Sequence, residues 1–263
     1  MMIYKNKRLY RGYIMSNCAV ILAGGEGKRM KSQKPKTLSE VLGKPMLMWV
    51  MSAVKKAGID DICVVKGFKK ECIDEYLETL DFPVESVFQA ERLGTGHAVM
   101  MAKAFLERHD GNVVILNGDA PFMTAETIRD SLEYHTESGN AATVISARVD
   151  DPTGYGRIVR DENGSLRAIT EHKDADEETL RINEVNSGAY WFDCQKLLSV
   201  LDRIKSDNAA GEYYLPDAIK LLLDDAQSVG AFTAECSDAV LGANDPAQLE
   251  ELNQIAKAKG YTC

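Results

Sequence analysis

The segment from Ala19 to Met30, AVILAGGEGKRM, constrains this chain more than any other. A short apolar, β-prone run from Ala19 to Ala23 breaks into Gly24, Gly25 and Gly27, with Lys28, Arg29, Lys34 and Lys36 close behind. A buried strand that ends in a glycine-rich, cationic loop presents backbone N–H groups and fixed positive charge to a phosphate. Glycine is needed there because a Cβ would hold a polyphosphate away from the backbone. A Walker A loop requires G-x-x-x-x-G-K-[ST]; Gly27-Lys28 is followed by Arg29 and Leu22 stands five before Gly27, which excludes it. A dinucleotide fingerprint is met by Gly25 and Gly27 but has Met30 at its third glycine, a weak match. On this segment alone, a glycine-rich turn beside a solvated basic patch stays open as the alternative.

At 263 residues the chain is long enough for one large α/β domain. A formal charge of −9 argues against a nucleic-acid or anionic-membrane partner, which need a basic footprint. A local cationic cluster in an acidic protein points instead to a small anionic ligand. No apolar run approaches the ~18 residues of a membrane span. The six cysteines show no C-x-x-C and no Cys/His metal spacing, and Cys18, Cys63 and Cys194 sit in or beside apolar segments as core residues. A reduced, cytoplasmic setting is the expectation. Residues 1–16, basic and aromatic but without the apolar core of a signal peptide, read as a disordered leader, and 17–263 as a single domain.

Strand-like runs at 19–23, 61–65, 84–88 and 112–116 alternate with helical patterns at 45–56, 69–80 and 95–108. This is the pattern of parallel βαβ units, whose ligand crevice lies at the carboxyl ends of the strands. The loops after Ala23, at 89–96 and at 117–122 all fall on that edge. The second half is richer in β, with runs at 142–149, 156–160, 166–172 and 185–192. Helices follow at about 194–204, 215–224 and 246–259.

Eight further segments narrow the reading: PKTL (35–38), QAERLGTGHA (89–98), LNGD (116–119), DPTGYGRI (151–158), EHKDA (171–175), EVNSG (184–188), NAAGEYYLPD (208–217) and GAND (242–245). In this order and spacing, from about Asn17 to Lys259, the chain resembles the N-terminal uridylyltransferase (pyrophosphorylase) half of the bacterial GlmU family. The resemblance implies a Rossmann-like α/β fold, a mixed, mostly parallel sheet of the nucleotidyltransferase type with a β-rich sugar-binding side. It implies that UTP and N-acetylglucosamine 1-phosphate give UDP-N-acetylglucosamine and pyrophosphate by in-line attack at the α-phosphorus. Leu22, Ala23, Gly24 and Gly25 would then hold the nucleotide with Gln89, Gly94 and Thr95, and Arg29 and Lys36 would be catalytic cations. Asp119 and Asn244 would hold Mg2+, and Gly156, Glu171, Asn186 and Tyr214 would hold the sugar. Three positions depart from the family pattern: Arg92 replaces a second Gln at the base, Asn117 a Tyr, and Gly24 an Ala.

Read as residues, these roles are chemically coherent. Positioning and charge neutralisation carry phosphoryl transfer, so no nucleophile or general base is required, and no Ser/His/Asp or Cys/His set stands out. Asp119 has a second reading as a helix N-cap before Pro121. His97 and His172 read as structural, and Tyr213 as either a core aromatic or a site residue. The competing functions are transfer to another hexose 1-phosphate or from another NTP, and a catalytically silent sugar-nucleotide-binding regulator. An NAD-type oxidoreductase lacks its third glycine and an acidic ribose ligand. No hexapeptide repeat of a left-handed β-helix is present, so a stand-alone enzyme without acetyltransferase activity is expected, as a monomer or weak homo-oligomer.

Overall fold

Alternation within the first long strand shows how the sheet is buried. In Cys18–Ala23 (β1), Cys18 and Val20 join one apolar cluster while Ala19, Ile21 and Ala23 join another on the opposite face. A strand apolar on both faces belongs inside a sheet covered on both sides by helices. The computed structural model describes residues 9–10, 13–14, 16–30, 32 and 34–263. The leader expected over 1–16 lies largely outside these described residues.

Among the described residues, nine strands form the main sheet. After β1 come Asp61–Lys66 (β2), Glu85–Phe88 (β3), Asn112–Asn117 (β4), Ala142–Arg148 (β5), Arg157–Arg160 (β6), Leu166–Thr170 (β7), Glu184–Asp193 (β8) and Val229–Thr233 (β9). The order β4-β1-β2-β3 is parallel throughout. The chain moves outward from β1 to β3 and then returns to the other side of β1, so a topological switch point opens between β1 and β4. The amide of Gly118 donates to the carbonyl of Leu22 (2.9 Å) and fastens the two strand ends at that point.

The ten-residue β8 joins this half to the rest. Its C-terminal part pairs antiparallel with β4, its N-terminal part pairs with β6, and β5 runs antiparallel along it. β9 adds to β5 in parallel. A register shift between Asn186 and Ala189, with Gly188 at φ +76°, marks a bulge in β8.

Helices Met46–Lys56 (α1), Lys70–Leu77 (α2), Thr95–Met101 (α3), Lys103–Leu106 (α4) and Ala125–Glu137 (α5) flank the first half. Glu177–Leu180 (α6), Cys194–Leu201 (α7), Pro216–Asp224 (α8) and Pro246–Lys259 (α9) follow. The sequence pattern for 95–108 reads as one helix, but Ala102 at ψ 8° leaves the helical region and splits it. Helix α2 begins one residue later than expected because Lys69 adopts a left-handed conformation. Helix α5 buries only a thin stripe, Ala125, Ile128, Ser131 and His135, with Ile128 its one large apolar residue, which hides its periodicity. Helix α9 packs back on the domain, with Leu252 and Ala256 buried against Val41, Trp49 and Phe122. Among the described residues no helix is long and apolar enough to cross a membrane, and the six cysteines are free thiols.

Candidate functional site

The loop leaving β1 is shaped by close backbone approach. A Cβ on Gly67 would come within 2.6 Å of the carbonyl oxygen of Gly24, and the amide of Phe68 donates to that same oxygen (3.1 Å). Gly27, at φ +60°, turns the chain over Lys36, whose own Cβ would lie 2.7 Å from an added one. Gly25 is different: it is exposed, its φ is not left-handed, and an added Cβ would meet nothing within 4 Å. Neither packing nor strain demands glycine there, so what it preserves is open space beside the backbone.

Two cationic residues follow. Arg29 lies exposed on the wall of a cleft of about 530 Å³ that opens over the switch point. Lys36 is mostly covered and places its ammonium between two oxygens: it forms an ion pair with Asp119 Oδ2 and donates to Asn244 Oδ1 at 3.0 Å. Asp119 lies in the turn just after β4 rather than capping a helix; the cap of α5 is Thr124, whose hydroxyl accepts from the Thr127 amide. Gly242 lets the Asn244 loop touch Asp119, since a Cβ would sit 3.0 Å from the Asp119 carbonyl. The Asn244 amide is held by Gln248 Oε1 (2.8 Å). Two hard oxygens from distant parts of the chain therefore converge on one positive charge.

The 89–96 loop docks on the segment around Tyr213. Gly94, at φ +109°, would place a Cβ 2.6 Å from the Tyr213 carbonyl, and Thr95 Oγ1 accepts from the Leu215 amide (3.1 Å). Gln89 is 5% exposed, and its amide nitrogen is engaged with the Gly94 carbonyl and His97 Nδ1, both at 3.1 Å. Arg92 turns to the phosphate loop, with its guanidinium 3.0 Å from the Glu26 carboxylate and over the Phe68 ring.

At the other end of the cleft, Gly156 allows Glu171 to lie against the backbone; an added Cβ would be 3.1 Å from Glu171 Oε1. Burial, with the negative charges of Asp174 and Asp217, pushes the Glu171 carboxyl above its usual range. The Asn186 amide donates to the Gly156 carbonyl (2.9 Å), and its side chain spans the β8 bulge, donating to Tyr190 Oη (2.7 Å) and accepting from the Gly188 amide (2.9 Å). Tyr214 lines the same wall, its hydroxyl pKa raised by partial burial and then by Glu171.

Of the residues singled out from sequence, Leu22, Arg29, Thr95, Asp119, Gly156, Glu171, Asn186, Tyr214 and Asn244 line this one cleft. Lys36 reaches it through Asp119. Ala23 and Gly24 are buried beneath the loop, and Gln89 and Gly94 sit behind the wall. The cleft also uses Asn117, Ser187, Tyr190 and Gln248. Asn117 and Ser187 stood within motifs already quoted, whereas Tyr190 and Gln248 carry no local signal.

Residues 18–238 match the nucleotidyl transferase family model. The bifunctional protein GlmU of Acetivibrio thermocellus is 47% identical over 92% of this chain. Its counterpart in Clostridium botulinum is 45% identical over 93%. The chain spans 52% and 53% of those two proteins, about half the length of the curated relatives it matches. A solved structure of a putative glucose-1-phosphate thymidylyltransferase from Bacillus anthracis superposes with a TM-score of 0.76 over 94% of this chain and 98% of that one, at 22% identity, which establishes the shared fold. With the switch-point cleft, the glycine-rich loop and the match over most of its length, this chain belongs to the nucleotidyl transferase family.

Proposed function

We propose that residues 17–263 form one nucleotidyltransferase domain that joins UTP to N-acetylglucosamine 1-phosphate, releasing pyrophosphate. The observation that carries the reading is the convergence of a phosphate loop, the Lys36–Asp119–Asn244 cluster and the Gly156–Glu171–Asn186 wall on one cleft. The loop amides from Gly24 to Gly27 bind the triphosphate, with Gly25 leaving the room it needs. Arg29 and Lys36 neutralise charge gathering at the α-phosphorus and on the departing pyrophosphate, in a site where a cation counts for more than in water. Gln89, Gly94 and Thr95 border the base, and Glu171, Asn186 and Tyr214 supply acceptors and donors to the hydroxyl and acetamido groups.

The donor set fits Mg2+. A carboxylate and a carboxamide oxygen already share one cation, the Lys36 ammonium, and two protein oxygens beside a polyphosphate are what a hard, water-retaining ion uses. Asp119 and Asn244 would hold the ion, which would add positive charge at the α-phosphate. The setting proposed is the cytoplasm.

Pyrophosphate release from UTP and Mg2+ with a panel of sugar 1-phosphates tests this reading. N-acetylglucosamine 1-phosphate should exceed glucose 1-phosphate at least tenfold in kcat/KM, because a site that hydrogen-bonds a substrate group penalises the analogue lacking it. Equal rates for the two sugars would refute the acetamido assignment, and no pyrophosphate with any of them would refute the activity.

A further inference from the structure

Arg157 is 2% exposed, and among the described residues its guanidinium donates to no carboxylate. A guanidinium stays charged at any working pH, so burial cannot be relieved by losing a proton. Its direct hydrogen bonds go to neutral acceptors on three separate segments, while the Asp151 carboxylate lies near enough to interact with its charge. One terminal nitrogen donates to the Tyr155 carbonyl, and the other reaches His172 Nδ1 and the Leu180 carbonyl, each at 3.4 Å. Its Nε, also buried, has no partner. A buried cation with no carboxylate in hydrogen-bond contact is costly, and it persists only where its surroundings hold it firmly.

The acceptors border the sugar end of the cleft. Gly154, Tyr155 and Gly156 are wall residues, and Arg157 follows them directly as the first residue of β6, paired with Thr170 of β7 and Val185 of β8. His172 follows the wall residue Glu171 and accepts a second bond at the same Nδ1, from the Gly154 amide (3.3 Å). Two donors on Nδ1 fix the imidazole as the Nε2–H tautomer. The guanidinium thus ties the 151–156 loop, the residue beside Glu171 and the end of α6 into one unit.

We infer that Arg157, acting through His172, is a positioning residue for the sugar side of the cleft, holding Gly156 against Glu171 without touching substrate. This rests on the proposed sugar role of that pair. Arg157→Lys keeps the charge but offers one compact ammonium to three spread acceptors. It should raise the KM for N-acetylglucosamine 1-phosphate at least fivefold, with kcat and the KM for UTP within twofold of wild type.

His172→Leu removes the shared acceptor and should reproduce this split, whereas His172→Gln, whose Oε1 can accept from both donors, should restore the wild-type KM. The two His172 variants carry the test if Arg157→Lys does not fold. Equal rises in both KM values, or no rise for the sugar phosphate in His172→Leu, would overturn the inference. Amide exchange of Gly154 in the unliganded protein separates this from the substrate assignment. Faster exchange in His172→Leu, in a protein whose wild type does not turn over the sugar phosphate, would uphold the tie and refute the proposed substrate. Unchanged exchange would refute the tie itself.

Discussion

His135 should make this fold acid-sensitive well above the range of its carboxylates. It is 1% exposed; its Nδ1 faces Thr143 Oγ1 (2.9 Å) and its Nε2 faces Asn112 Oδ1 (3.2 Å), joining α5 to β4 and β5. The Asn112 carbonyl oxygen can only accept, so Nε2 carries the proton and Nδ1 accepts from the threonine hydroxyl, which itself accepts from Asn140 Nδ2 (3.1 Å). Burial lowers the His135 pKa to about 4 from an ordinary value near 6.5. A histidine depressed in the folded state binds its proton first when unfolded, so its contribution is fully present above ~6.5 and is lost as pH falls toward 4. The gap of ~2.5 units corresponds to about 3 kcal/mol in all, of which about 2 kcal/mol is lost between pH 7 and pH 5.

Urea midpoints at pH 7, 6 and 5, at constant m-value, measure this against His135→Gln. The variant should be less stable at pH 7, by about 1–3 kcal/mol for the disturbed buried hydrogen bonds. The gap between the two proteins should then narrow by about 2 kcal/mol at pH 5. Parallel stability curves for the two proteins would refute the argument, since every other titrating group is common to both.

Asp119→Asn should lower kcat/KM more than tenfold while the urea midpoint moves little, read by pyrophosphate release; a smaller loss would remove Asp119 from the metal assignment. Gly94→Ala should cost about 1–3 kcal/mol, since alanine strains at φ +109° and its Cβ would meet the Tyr213 carbonyl; an unchanged Tm would contradict this. Arg92→Gln should leave the UTP:dTTP preference within about twofold, because the Arg92 guanidinium is already paired with Glu26, and a surface pair of this kind contributes about 0–1 kcal/mol. A larger change in that ratio would mean that Arg92 reads the base.

Much of the fold was legible because strands apolar on both faces leave continuous runs that need no partner to be recognised. β1, β2 and β4 lie within a residue of their expected bounds. Helix α5 was not, since its buried stripe has one large apolar residue, Ile128, beside Ala125, Ser131 and His135, and the burial of the last two depends on hydrogen bonds with Trp191, Thr143 and Asn112. β9 was missed for a related reason: it is five residues long and contains Gly230, which makes room for Tyr134 and Asn140. Site residues inside glycine-marked motifs were found, whereas Tyr190 reaches the cleft only because the β8 bulge brings it to Asn186. The direction of Arg92 was also beyond the letters, because its partner Glu26 lies 66 positions away in the sequence and meets it only through the fold.

The long strand β8 gives the cleft a fixed gauge. One run of backbone is hydrogen-bonded at one end to the strand that leads to Asp119 and at the other to the strand that begins with Arg157. Two substrates bound at these ends would be spaced by strand rise, about 3.3 Å per residue, and not by a hinge that could adjust to either. Such a frame favours acceptors of one length and tolerates variation only in what the loops present. Lengthening β8 by one residue between Asn186 and Ala189 would exchange inward for outward side chains along one half of that strand. New acceptor preferences are therefore more accessible through the 151–156 and 208–217 loops than through the strands beneath them.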